Sequence, residues 1–167
     1  MYQGHFFPGV DARLPLNVNR KIEDAVGTGI DVVLQFWRLS KPGDPSPTGV
    51  HADQSAGNTA GVLYMSPEPD DPMDGTAFWR HKDRGTDHVP PAILQGSTSE
   101  QEEYYKQLNA DTKDMSAWDM TALARSKFNR FITYPSHYFH SRYPIDPTNY
   151  GSTKDSARLT WVVFFNT

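Results

Sequence analysis

No cysteine occurs among the 167 residues, which excludes disulfides, thiolate metal ligands and a cysteine nucleophile together, and fits a reducing compartment such as the cytoplasm. Any metal must then be held by His, Asp or Glu. Basic runs are missing as well: Lys and Arg number 16 against 20 Asp and Glu, a net charge of −4, and no stripe of cations exists to follow a phosphate backbone. Nucleic acid is not an expected partner. Long apolar stretches are also lacking, since runs such as residues 161–165 fall far below a membrane span, and Met1-Tyr2-Gln3-Gly4-His5 has no basic region followed by an apolar one. We expect no membrane partner and a cytoplasmic location. The length suits one domain, residues 1–167, and carries no mark of oligomeric state.

What is present is aromatic and punctuated. Phe, Trp and Tyr make up 13% of the chain, and 12 Gly and 13 Pro are spread between short apolar runs, the pattern of many short strands. After an irregular start with Pro8 and Pro15, Asn17 is placed to cap a short helix carrying Val18, Ile22, Ala25 and Val26 on one face, ended by Gly27 and Gly29. Strand composition follows at residues 30–39, then in three short runs at 49–53, 59–66 and 75–81 that read as a meander. Residues 82–127 turn polar and read as an insertion with its own helices: Ser99 and Glu102 form a capping box ahead of a helix ending near Leu108, and a second short helix is expected at Ser116. Strands resume at 128–134, 138–142 and 158–166, the last being the clearest. The fold class expected is mainly β (α+β): a distorted double-stranded β-helix, or jelly roll, with one short N-terminal helix and a helical insertion.

Two His-x-Asp pairs stand out. In an extended strand, residues two apart share a face, so His51 and Asp53 point the same way. His81 and Asp83 have the same spacing but run into a very polar loop, which favours an exposed strand end. A third ligand must come from elsewhere, and residues 134–141 offer His137 and His140, which face opposite ways in a strand. In the last strand Arg158 and Thr160 share a face, and a guanidinium turned inward there suits a carboxylate.

Taken in order, these residues resemble the Fe(II)- and 2-oxoglutarate-dependent oxygenase superfamily, whose motif is His-x-Asp, a distal His, and Arg-x-Ser/Thr. The matching positions are His51-Ala52-Asp53, then Pro135-Ser136-His137-Tyr138-Phe139-His140, then Arg158-Leu159-Thr160. Val62-Leu63-Tyr64-Met65-Ser66 is similar to a Tyr-Leu-Asn strand of the prolyl-hydroxylase-like branch, and Gly75-Thr76-Ala77-Phe78-Trp79-Arg80-His81 to its Gly-Gly-x-hydrophobic strand. The likeness extends over about residues 30–166 and is nearest a small bacterial and phage-type group. It implies Fe(II) held by His51, Asp53 and His140, and 2-oxoglutarate held by Arg158 with Thr160 and Tyr64 as further donors. It also implies O2 as co-reactant and hydroxylation as the outcome, with release of succinate and CO2. The expected substrate is a small amino-acid-like metabolite or a peptide residue, with Trp79, His81, Trp118 and Arg142 as candidate contacts and residues 41–47 and 82–127 as the rim. The alternative is a non-catalytic cupin-like metal-binding or sensor protein, although such sites usually contain a His-x-His pair, which this chain lacks.

Overall fold

The structure is a computed structural model and describes residues 16–41, 49–53, 56–66, 73–145 and 157–167. Expectations falling on 1–15 and 42–48, including the irregular start and most of the first rim loop, lie outside the described residues. The elements are α1 (Leu16–Val26), β1 (Asp31–Ser40), β2 (Thr59–Tyr64), β3 (Gly75–His81), α2 (Pro91–Leu94), α3 (Thr98–Asp111), a 3-10 turn at Met115–Ala117, β4 (Trp118–Arg125), β5 (Phe131–Pro135), β6 (His140–Tyr143) and β7 (Arg158–Asn166).

The fold is mainly β, a jelly-roll-like sandwich of two antiparallel sheets. One sheet has the order β1-β7-β2-β5 and the other β4-β3-β6. A reciprocal bridge between His51 and His140 adds the 49–53 segment beside β6. Strand β7 is central in its sheet and covered on both faces, which explains why it reads as a nearly unbroken apolar run rather than an alternating one. Its inner residues, with Val62, Tyr64 and Tyr134, build the core between the sheets, where Phe78 of the second sheet meets Tyr134 edge-on at 5.0 Å. Its outer residues Trp161, Val163 and Phe165 pack with Ile22 of α1. Helix α3 covers the outer face of the second sheet, burying Leu108 with Val50, Ala77, Trp79, Trp118 and Phe139. Among the described residues no helix is long and apolar enough to cross a membrane.

Several local expectations need correction. Helix α1 begins at Leu16, so Asn17 lies inside its first turn instead of capping it. Gly27 does end the helix, with φ +77° and its N–H on the Glu23 carbonyl at 2.9 Å, a position where a side chain would be strained. The capping box is Ser97 with Glu100, two residues earlier than the Ser99–Glu102 pair of the same pattern. The 59–66 and 75–81 runs are not neighbours in a meander: β2 and β3 belong to opposite sheets. The 82–127 stretch is not wholly an insertion either, because it contains β4. That strand pairs with β3 only, at the sheet edge, and exposes residues 119–122 and 125, so polar side chains cost nothing there and the apolar signal was absent. The short helix foreseen at Ser116 is a single 3-10 turn.

Candidate metal centre

The 49–53 segment and the start of β6 run antiparallel, and His51 and His140 exchange both backbone hydrogen bonds at 2.9 Å. Residues directly opposite in such a pair project to the same face. The two imidazoles therefore stand side by side, ring centroids 4.5 Å apart. Two residues on from His51, Asp53 returns to that face, with its N–H held by the Ser136 carbonyl at 2.8 Å. Asp53 and His140 are buried, and a fifth of the His51 side chain reaches solvent.

Both histidines are oriented by the chain behind them. His51 Nδ1 lies 3.0 Å from the Gly49 carbonyl and His140 Nδ1 2.9 Å from the Tyr138 carbonyl. A carbonyl can only accept, so each Nδ1 carries a proton and each Nε2 points inward. His140 Nε2 then sits 2.9 Å from Asp53 Oδ2, and His51 Nε2 3.5 Å from Asp53 Oδ1. Burial holds the His51 imidazole down at about 4, against the raising effect of Asp53, so it is neutral at pH 7. Three atoms able to ligate a metal thus converge within 4.8 Å of one another, and the buried carboxylate among them calls for a positive charge beside it. The donor set, two imidazoles and one carboxylate, is one that non-haem Fe(II) accepts, with positions left open.

The structure also shows residues that sequence reasoning missed. Tyr134 stacks 4.8 Å from the His140 ring, and burial, reinforced by the Asp53 charge, holds its phenol protonated far above the usual range. Asp74 is almost wholly buried and pairs with Arg158, Oδ1 to Nη1 at 3.3 Å. Arg38 stands opposite Thr160 in the β1–β7 register, on the inner face, and its charge is felt by His51 and Tyr134. Alternation along β1 and β5 could have marked Arg38 and Tyr134 as inward-facing. Asp74 follows other acids in an ordinary-looking loop and had no such signal.

The residues expected to hold a cosubstrate are distributed as follows. Arg158 is buried, donates to the Gly75 carbonyl at 3.1 Å and lies over the Tyr64 ring at 5.3 Å. Tyr64 shares a 2.7 Å hydrogen bond with Thr76 Oγ1 and donates to the Ala124 carbonyl at 3.2 Å, tying the two sheets together. Thr160 is buried and its hydroxyl lies 3.5 Å from the Arg38 carbonyl. Arg142 stands opposite Thr76 and therefore on the inner face, donating to the Ile145 carbonyl at 2.7 Å.

The other proposed substrate contacts sit elsewhere. Trp79, His81 and Trp118 are buried on the outer side of the second sheet, beneath α3. Trp79 Nε1 donates to Ser141 Oγ at 2.9 Å, Trp118 Nε1 to the Asp111 carbonyl at 2.8 Å, and His81 Nε2 lies 3.1 Å from Asp111 Oδ2. Alternation counted from inward-facing Thr76 puts Trp79 and His81 on the outer face, and the bulge opposite Phe78 and Trp79 takes its extra residue, Thr121, from β4 and leaves that alternation intact. His137 lies apart from the three-donor cluster, edge-on to His88 at 5.8 Å.

A family model described as a family of unknown function, DUF6445, matches residues 47–165. The chain belongs to the DUF6445 family. That match takes in every member of the three-donor cluster as well as Arg158 and Thr160. None of the curated proteins matches the sequence. Among solved structures, the crystal structure of EvdMO1 is similar, with a TM-score of 0.51 and 13% identity over 92% of this DUF6445 chain. The likeness shows the fold alone, and this chain spans about a third (31%) of the length of that one.

Proposed function

We propose that this protein is an Fe(II)- and 2-oxoglutarate-dependent oxygenase that hydroxylates an amino-acid-like metabolite or a peptide residue. One observation carries the reading: two inward Nε2 atoms and a carboxylate converge within 4.8 Å, with both imidazoles fixed from behind by main-chain carbonyls. Preset tautomers raise ligand basicity and remove the entropy of orienting the rings. Bound there, iron would supply the redox chemistry with O2 and positions for the keto acid, while the chain holds the reactants in register. Arg158 lies on the inner face and is the residue assigned to the far carboxylate of 2-oxoglutarate. Because Asp74 already pairs with it, the incoming carboxylate shares the guanidinium, and Arg38 and Arg142 on the same inner face offset the added negative charge.

The Asp74 pair is also the observation that favours a second reading, a metal-binding protein that does not turn over 2-oxoglutarate. Titration of 2-oxoglutarate into the anaerobic Fe(II) protein, followed by its metal-to-ligand absorption band and by succinate release in air, separates the two. The oxygenase gives a saturable band and succinate. Iron binding with neither would leave the second reading.

A further inference from the structure

Alternation along the 49–53 segment turns Ala52 away from the three-donor cluster, and on that side lies a cleft of about 780 Å3. Ala52 and His137 lie on one side of it, and Leu94, Gln101 and Tyr105 come from α2 and α3. Asn58 and Asn166 border it at the ends of β2 and β7.

Among the described residues no Asp, Glu, Lys or Arg lines this cleft, in a chain of which 22% of residues are charged. A ligand with an ammonium or carboxylate would give up hydration there without a counter-charge. The one titratable imidazole, His137, is kept toward its neutral form by burial and by His88. Of the three carboxamides at its border, that of Asn58 is bonded to Thr59 and Thr167 and the Asn166 oxygen accepts the Asn58 N–H, which leaves the Asn166 Nδ2 to donate to a peptide carbonyl. Gln101 spends its amide N–H groups on the Leu94 and Gly96 carbonyls at 3.3 and 3.1 Å, leaving its side-chain oxygen as an acceptor. The Tyr105 hydroxyl is shielded from solvent with no hydrogen-bond partner, a state that is costly unless a ligand or water meets it. Burial, with Tyr104 beside it, pushes that phenol up to about 12, so it remains a donor.

We infer that this cleft binds a neutral stretch of peptide, the segment flanking the residue to be oxidised at the His51–Asp53–His140 cluster. The inference rests on the oxygenase reading for the reaction, but the binding itself does not. It favours a peptide over a free amino acid as substrate, since the latter brings two charges that these walls do not answer.

The test is NMR titration of the full chain with N-acetylated, C-amidated pentapeptides of neutral residues and, separately, with the free amino acids, reading the side-chain amide signals of Asn58, Gln101 and Asn166. The expected result is a saturable shift with at least one blocked peptide and none with free amino acids. Leu94→Asp should weaken that peptide at least tenfold and Tyr105→Phe about fivefold. If Leu94→Asp does not fold, Tyr105→Phe carries the comparison. Equal shifts from free amino acids, no shift from any blocked peptide at millimolar concentration, or unaltered affinity in the folded variants would overturn the inference. Iron titration in the same samples keeps the two readings apart: peptide binding without iron binding removes the oxygenase, and iron and 2-oxoglutarate binding without peptide removes the docking cleft.

Discussion

Arg158 is asked to do two things, hold Asp74 and receive a carboxylate, and the two should fail differently. Arg158→Leu should leave iron bound while weakening 2-oxoglutarate by roughly thirtyfold to several thousandfold, the range for losing a charge-assisted carboxylate pair of on the order of 2 to 5 kcal/mol. It should also destabilise the fold by about 3 kcal/mol, because Asp74 loses a buried partner at 3.3 Å. Replacing both, Arg158→Leu with Asp74→Leu, should restore much of the stability and none of the cosubstrate affinity, as denaturant unfolding and the absorption titration would show. His51 gives the pH prediction. Its folded value of about 4 lies below the unfolded 6.5, so on acidification the unfolded chain takes up a proton before the folded one does. In the metal-free protein this stability is complete above pH 6.5, is lost as pH falls from 6.5 to 4, and changes no further below that. The span is at most about 3 kcal/mol, reduced because part of the side chain reaches solvent. Urea midpoints that do not move over this window would contradict it, and His51→Ala should remove the slope.

At the scale of elements, the 49–53 segment is fixed from two sides: Val50 N–H donates to the Thr112 carbonyl just after α3, and His51 bridges to β6. A Cβ on Gly49 would collide with that same Thr112 carbonyl. Gly49→Ala should therefore push the segment off α3 and displace the carbonyl that orients His51. We expect a loss of about 1 to 3 kcal/mol in stability and weaker iron binding although no ligand is altered, measurable by unfolding and by iron titration. This also shows what a sequence can and cannot reveal. The period of two made the shared face of His51 and Asp53 legible, and the composition of β7 placed Arg158 and Thr160 on one side of it. The clustering of His140 with them depends on a bridge between positions far apart in the chain, which the family resemblance supplied and local pattern did not. Burial of Trp79 and His81 under α3 was hidden for another reason: alternation gives their face but not what covers it, and the covering helix has only one fully buried apolar residue, Leu108, to announce it.

For the molecule as a whole, residues 82–127, expected as an insertion at the rim, are a segment stitched into the core. Leu108, Trp118, the His81–Asp111 contact and β4 hold it against the second sheet. Leu108→Ala should lower the stability of the entire domain by about 2 to 5 kcal/mol in a single transition. Early loss of the segment alone, with the sheets unmoved in hydrogen exchange, would show that it unfolds apart from the core. Iron should stabilise the whole fold by mass action, about 2.7 kcal/mol at a hundred times its dissociation constant, and chelation should reverse this. The bridge between His51 and His140 has one more result, in the order of events during synthesis. Until residue 140 has left the ribosome, the growing chain offers only His51 and Asp53 of the three donors, too few to retain an ion against competing cellular ligands. On the proposed reading, capture of a metal by all three donors thus waits until most of the chain has emerged, so the identity of the ion is not decided by a nascent peptide that holds His51 and Asp53 alone.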